Sequence, residues 1–301
     1  MIVVAGEALV DLTPHEVASV TAYVPHPGGS PYNVAVGLGR LRVPVAFLGR
    51  LSTDRFGRLL RSHLHDSGVA LDLVASADEP TTLAFVHVGE GEPEYSFYAE
   101  QTADRLLSDE HLGALPDGAG LHLGSISLVL EPAASTIENL LRRESRRRLI
   151  TFDPNIRPGL IADPSSYRRR LAGWLEHVDV VKISEADLAW LHPSRSPAEA
   201  AAAWLDSGAV LVLVTSGTRG AEAYTAARSV FVPSRQVAVA DTVGAGDAFT
   251  AGVLAHLHDH GWLRREALAD LSHEQLQALL GDANEIAADT CTRPGADPPW
   301  R

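Results

Sequence analysis

The stretch Asp241-Thr242-Val243-Gly244-Ala245-Gly246-Asp247-Ala248-Phe249-Thr250-Ala251-Gly252 constrains this chain more than any other. An alternating, strand-like run, Arg235 to Ala240, precedes it, and an apolar, helix-like run, Ala248 to His258, follows. Gly244 and Gly246 permit a tight turn whose backbone N–H groups point into one concavity. That concavity lies at a helix N-terminus, where unpaired donors and the helix dipole favour an anion. Asp247 stands one residue past the turn, so its carboxylate reaches the place of the anion. An acid beside an anion is costly unless it has a task. Phosphoryl transfer supplies one, because it needs donors for the transferred group and a base for the attacking hydroxyl. Taken alone, the same residues also read as a Gly-rich turn with Asp247 complementing the dipole.

At 301 residues the chain can bury a large core, and one α/β domain with an appendage fits better than two equal domains. Apolar residues make up 46% and charged residues 21%, a globular balance. A net charge of −13 would repel a phosphate backbone, which argues against a nucleic-acid partner. Lys182 is the only lysine and reads as coding bias. The single Cys291 excludes an internal disulfide and a Cys-based zinc site, and fits a reducing cytoplasm. Met1 to Leu12 is apolar but lacks a basic start and carries Glu7 and Asp11, so it reads as a first strand rather than a signal peptide. No apolar run approaches the roughly 18 residues of a membrane span.

Ile2 to Ala5 reads as a buried parallel strand, with Asp11 just beyond it, where ligands bind in open α/β sheets. Gly28-Gly29-Ser30-Pro31-Tyr32-Asn33 then leads into a small-residue helix, with Ser30 as its N-cap and Pro31 at its first position. Val45 to Gly49 is a second strand, and Asp54 caps a helix running to Asp66. Thr81 to Val88 and Glu94 to Tyr98, joined by Gly89 to Pro93, form a hairpin that breaks the βα rhythm; Thr21 to Val24 could add a strand to it. Asp153-Pro154-Asn155-Ile156-Arg157-Pro158 follows a strand and places polar groups at its carboxyl end. Val178 to Ile183 and Val210 to Val214 are further strands, followed by Ser184-Glu185-Ala186-Asp187 and Thr215-Ser216-Gly217-Thr218-Arg219-Gly220. The P-loop and dinucleotide fingerprints are both absent: Phe249 stands where the latter needs glycine. The alternation predicts a doubly wound, mainly parallel α/β sheet with a small β-sheet lid.

The signature around Asp247 matches D-T-x-G-A-G-D-x-F of the ribokinase-like (PfkB) carbohydrate kinases, and the chain resembles that family from residue 6 to about residue 296. The resemblance implies Asp247 as catalytic base, with the amides from Gly244 through Ala245 and Gly246 as the anion hole. Gly28-Gly29-x-x-x-Asn33 resembles the family's sugar signature, so Gly29 and Asn33, with Gly28 beside them, would hold a sugar and Asp11 a hydroxyl pair. The lid, built from about 12–27 and 80–101 of a single domain 1–301, would cover the sugar, with Tyr98 and Gln101 at its base. The run F-D-P-N-x-R-P looks like that of bacterial fructokinases and 2-keto-3-deoxygluconate kinases, where Arg157 could clamp a phosphate or a substrate oxygen. The family's N-x-x-E appears here as Ser184 and Asp187, with Asp187 acting on magnesium through water and Lys182 reaching phosphate. Thr215, Gly217 and Gly220 resemble the nucleotide loop, and Asn284 corresponds to the adenine pocket. Asp241 with the tail Cys291 to Ala296 would bind a monovalent cation, implying potassium. The expected activity is ATP- and magnesium-dependent phosphorylation of a sugar. Fructose comes first and 2-keto-3-deoxygluconate or another ribokinase-like substrate second. A sugar- or nucleotide-binding regulator without turnover is the other class. An exposed lid face could make a homodimer.

Overall fold

A computed structural model describes residues 1–87, 94–118 and 120–301. The hairpin turn expected at Gly89 to Pro93 lies outside the described residues. The strands are β1 (Ile2–Ala5), β2 (Leu9–Val17), β3 (Val20–Gly28), β4 (Val45–Ser52), β5 (Val74–Ala77), β6 (Thr82–His87), β7 (Glu94–Tyr98), β8 (Gly120–Gly124), β9 (Ile150–Asp153), β10 (Val180–Ser184), β11 (Leu211–Thr215), β12 (Gly220–Tyr224) and β13 (Ser229–Pro233). The helices are α1 (Ser30–Arg40), α2 (Arg55–Asp66), α3 (Ala133–Glu144), α4 (Pro164–Leu175), α5 (Glu185–Leu191), α6 (Pro197–Ser207), α7 (Ala245–Asp259), α8 (Arg265–Ala269) and α9 (His273–Cys291).

The large sheet has the order β13-β12-β11-β10-β9-β8-β1-β4-β5. It is parallel except at one edge, where β12 pairs antiparallel with both β11 and β13. Its strands are largely apolar because both faces are covered. Val3, Leu121, Phe152 and Val212 pack on one face with Ile137, Trp174 and Trp204 from α3, α4 and α6. Ile2 and Val4 face the other way, against Val34 and Leu38 of α1 and Ala251 and Leu254 of α7. This period-two division of neighbouring residues gives the doubly wound architecture. From β1 the chain moves to β4 on one side and later to β8 on the other, so the strand order reverses beside β1. In open α/β sheets the crevice at such a reversal is where ligands bind.

A second sheet, of order β3-β2-β6-β7, stands apart from the first. Two sequence expectations change here. Asp11 belongs to this sheet, on β2 opposite His26 of β3, rather than to a loop after β1. The pairing of β2 with β3 also runs the whole way from Leu9↔Gly28 to Val17↔Val20, well beyond Thr21 to Val24. The run Arg235 to Ala240 is not a strand. Among the described residues it pairs with no strand, is largely exposed, and is tied down at its end by the Ala240 N–H donating to the Cys291 carbonyl at 2.8 Å.

Candidate active site

Helix α7 is preceded by Gly244 at its N-cap, whose φ of 75° is left-handed and whose missing Cβ leaves room for Ala296, which a side chain would meet at 2.5 Å. The turn therefore depends on glycine twice, for conformation and for space. Ala245 N–H is donated back to the Thr242 carbonyl at 3.3 Å, and the helical ladder starts with Ala248 N–H to Gly244 O at 2.8 Å. The N–H groups of Gly244, Gly246 and Asp247 have no protein acceptor among the described residues. They are the donors left to meet an anion.

Asp247 is 8% exposed. Its Oδ1 accepts the Ser30 hydroxyl at 2.6 Å, and its Oδ2 accepts the Asn33 amide at 2.8 Å. The sugar signature and the phosphoryl signature thus meet at one carboxylate. Helices α1 and α7 cross closely enough to allow this because Gly37 has no side chain, and a Cβ there would come within 2.7 Å of Ala251. The expectation that Ser30 caps α1 is corrected: the cap position is Gly29, which offers no side-chain bond, and Ser30 is the first helical residue. Its hydroxyl is spent on Asp247 instead.

Around this carboxylate lies a cavity of about 1070 Å³, lined from both sheets by Asp11, Tyr95, Tyr98, Gly29, Asn33, Arg157, Gly244, Gly246 and Asp247. Burial raises Asp247 to about 6, against the pull of its two hydrogen bonds and of Lys182. Burial also raises Asp11 to about 7, opposed by Arg157 and reinforced by Asp247. Gly28 lies against the Asp11 carboxylate, where a Cβ would come within 2.2 Å of Oδ2. Arg157 donates to Asn155 Oδ1 at 2.8 Å and sits over the Tyr95 ring at 6.0 Å.

Lys182 is buried, not a surface lysine. Its ammonium donates to Asp153 Oδ2 at 2.7 Å, and a Cβ on Gly246 would lie 3.0 Å from it. Burial alone would lower its pKa, but the Asp153 carboxylate more than reverses this, and the ammonium persists beneath the anion turn. Ser184 caps α5 by accepting the Asp187 N–H at 3.0 Å. Asp187 accepts the Ile156 N–H at 3.2 Å and is raised to about 6, first by burial and then by Asp153.

The other expected residues lie away from the cavity lining. Gln101 is exposed at φ 55°. Thr215 bonds weakly to the Ile183 carbonyl at 3.5 Å, Gly217 is exposed, and Gly220 is pressed against the Val232 carbonyl. Asn284 donates to the carbonyls of Val232 and Pro233 at 3.2 and 3.3 Å. Asp241 accepts the N–H groups of Val243 at 3.0 Å and Gly295 at 2.8 Å, so it ties the signature turn to the tail.

Sequence reasoning missed Glu7, Ser30 and Tyr95 as cavity residues. Glu7 is buried and raised to about 7 by that burial. It accepts the N–H groups of Ser30 and Ser127, each at 3.2 Å. Its one local signal is an acid directly after an apolar strand, where no surface is available to it.

Comparison with known proteins agrees with this geometry. The family model for pfkB family carbohydrate kinases matches residues 1–301. A fructokinase of Rhizobium leguminosarum bv. trifolii is 41% identical over 279 residues, 92% of this chain and 86% of that one. The fructokinase of Xylella fastidiosa, solved with bound ATP, superposes with a TM-score of 0.89 at 32% identity, over 98% of this chain and 93% of that one. The fructokinase of Vibrio cholerae O395, in fructose, ADP and calcium ion bound form, gives a TM-score of 0.85 at 30% identity, over 98% and 94%. The chain belongs to the pfkB family of carbohydrate kinases.

Proposed function

We propose that this kinase transfers the γ-phosphoryl group of ATP to a hydroxyl of fructose. The observation that carries the reading is the placement of Asp247: a buried carboxylate beside three unpaired helix-start amides, bonded to the sugar signature. In the ionised form Asp247 accepts the sugar hydroxyl's proton as that oxygen bonds to phosphorus and the bond from phosphorus to the leaving ADP oxygen breaks. The amides of Gly244, Gly246 and Asp247 meet the charge on the transferred group, with Lys182 beneath them. Asp11, Gly29 and Asn33 orient the sugar, Arg157 faces Asp11, and the second sheet, with Tyr98, acts as the lid of a single domain and excludes water. The nucleotide lies toward Thr215, Gly217, Gly220 and Asn284.

Among the described residues no three His, Cys, Asp or Glu side chains converge to hold a metal. A divalent ion here would draw most of its ligands from phosphate oxygens and water, which is the habit of magnesium. Asp187 is the carboxylate that would hold that water shell, and the ion would neutralise phosphate charge. Asp241, set between two turns, fits a monovalent cation such as potassium. A sugar acid is the second reading for substrate, because Arg157 brings a cation to the same cavity.

Among the described residues no helix is long and apolar enough to cross a membrane, and we place the enzyme in the cytoplasm on the strength of its single cysteine. The second sheet exposes Val17, Val20, Tyr23, Val24 and Tyr98, and we assign that face to pairing of two copies. Light scattering that finds only the 32.1 kDa monomer at micromolar concentration would sink that assignment.

The decisive test is an ADP-release assay over fructose, ribose, 2-keto-3-deoxygluconate and adenosine, with magnesium, and with and without potassium. Fructose should give the highest kcat/KM, and Asp247→Asn should fold normally yet lose about 10²–10⁴-fold in turnover. Near-normal turnover in that variant would remove Asp247 from the role of base. Fructose binding without ADP release would favour a regulator.

A further inference from the structure

We propose that Ser30 is a positioning residue for Asp247, its hydroxyl holding one carboxylate oxygen so that the other stays turned toward the sugar hydroxyl. The inference rests on Asp247 being the base. A carboxylate oxygen has two acceptor positions. Oδ1 takes the Ser30 hydroxyl at 2.6 Å, while Oδ2 takes the Asn33 amide at 2.8 Å and keeps one position for a substrate O–H. Ser30, Asn33 and Asp247 are 7%, 8% and 8% exposed, so water does not compete freely for these bonds. A carboxylate held at only one oxygen could rotate about its Cβ–Cγ bond and lose the line to the sugar.

Ser30 is itself fixed. Its N–H donates to Glu7 Oε1 at 3.2 Å, and the other oxygen of Glu7 accepts Ser127 N–H. A serine at a helix start ordinarily turns its hydroxyl back onto the helix. Here the cap position has passed to Gly29, and the hydroxyl reaches across to α7.

The groups facing Asp247 are Lys182 from β10, Asp153 from the end of β9, Asp11 from β2 and Tyr95 from β7. Burial lifts the Asp247 carboxyl to about 6, and the Ser30 bond is first among the influences pulling it down. The ionised form is the active one, so turnover falls as pH drops through about 6. Loss of the Ser30 donor disfavours the ionised form and moves that acid limb to higher pH.

The test compares kcat against pH for the parent, Ser30→Ala and Ser30→Thr, with Asp247→Asn alongside. In Ser30→Ala the acid limb should move up by about one pH unit, with about a threefold loss of kcat at pH 6.5, about a tenfold loss near pH 5, and recovery toward alkaline pH. The KM for fructose should change less than about twofold, because Oδ2 still has Asn33 and its open acceptor position. Ser30→Thr, which keeps the hydroxyl, should restore the parent profile. A Ser30→Ala profile that superimposes on the parent, or a loss equal at every pH with a lowered melting temperature, overturns the proposal. If Asp247→Asn is inactive while Ser30→Ala is unshifted, only the positioning role fails. If Asp247→Asn remains active, the base assignment fails first, and this proposal with it.

Discussion

On the inner side of the cleft, the charged and polar side chains packed around Asp247 are committed to one another. Lys182 serves Asp153, Ser30 and Asn33 serve Asp247, and Glu7 serves the backbone of Ser30 and Ser127. On the side formed by residues 215–220 and Asn284, Thr215 and Asn284 bond nearby carbonyls, Arg219 pairs with Glu185 at the surface, and residues 217–219 are exposed. The contrast fits the roles proposed for the two sides. Transfer of a phosphoryl group needs fixed donors and a fixed base, because reorganisation at the moment of reaction raises the barrier. Holding a nucleotide needs mainly a surface of the right shape with backbone donors, and such a surface tolerates movement.

Substitutions can break this comparison. The largest effect is expected at Lys182→Met, which removes the cation from a pair whose carboxylate, Asp153, is 2% exposed. A buried charge left alone costs about 3–5 kcal/mol, to be read as a fall in the urea midpoint at constant slope. A loss of about 1 kcal/mol or less would mean that water reaches Asp153, and that the inner side is less closed than drawn. The smallest effect is expected at Gly217→Ala. The added methyl meets no atom within 4 Å, so the cost is that of the left-handed φ of 55° alone, about 1–2 kcal/mol. The KM for ATP should rise by less than tenfold, and the KM for fructose should not move. A matching change in both would show that the two sides are mechanically coupled and would erase the distinction.

Much of the architecture was legible because it is written locally. Asp54 caps α2 by accepting the Gly57 N–H at 2.6 Å, as its place before an amphipathic run requires. The apolar strands and the glycine turn at Gly244 likewise follow from neighbouring residues. What was hidden depends on distance along the chain. Nothing near Ser30 says that Asp247, 217 residues away, will take its hydroxyl, and local statistics assign it to the helix cap. Arg235 to Ala240 alternates like a strand, but alternation cannot say whether a partner edge exists. Lys182 follows the same logic: lysines are rarely buried, and only the fold brings Asp153 to it.

The pairing of Lys182 with Asp153 has a consequence for the surface. Every other side-chain cation that is not a histidine is an arginine, so with Lys182 sequestered the folded exterior offers no side-chain primary amine. Acyl donors and isopeptide-forming enzymes, which need a free amine, find no lysine to decorate while the core stays shut. Acylation of Lys182 would therefore report that the core beneath the Gly244 turn had opened.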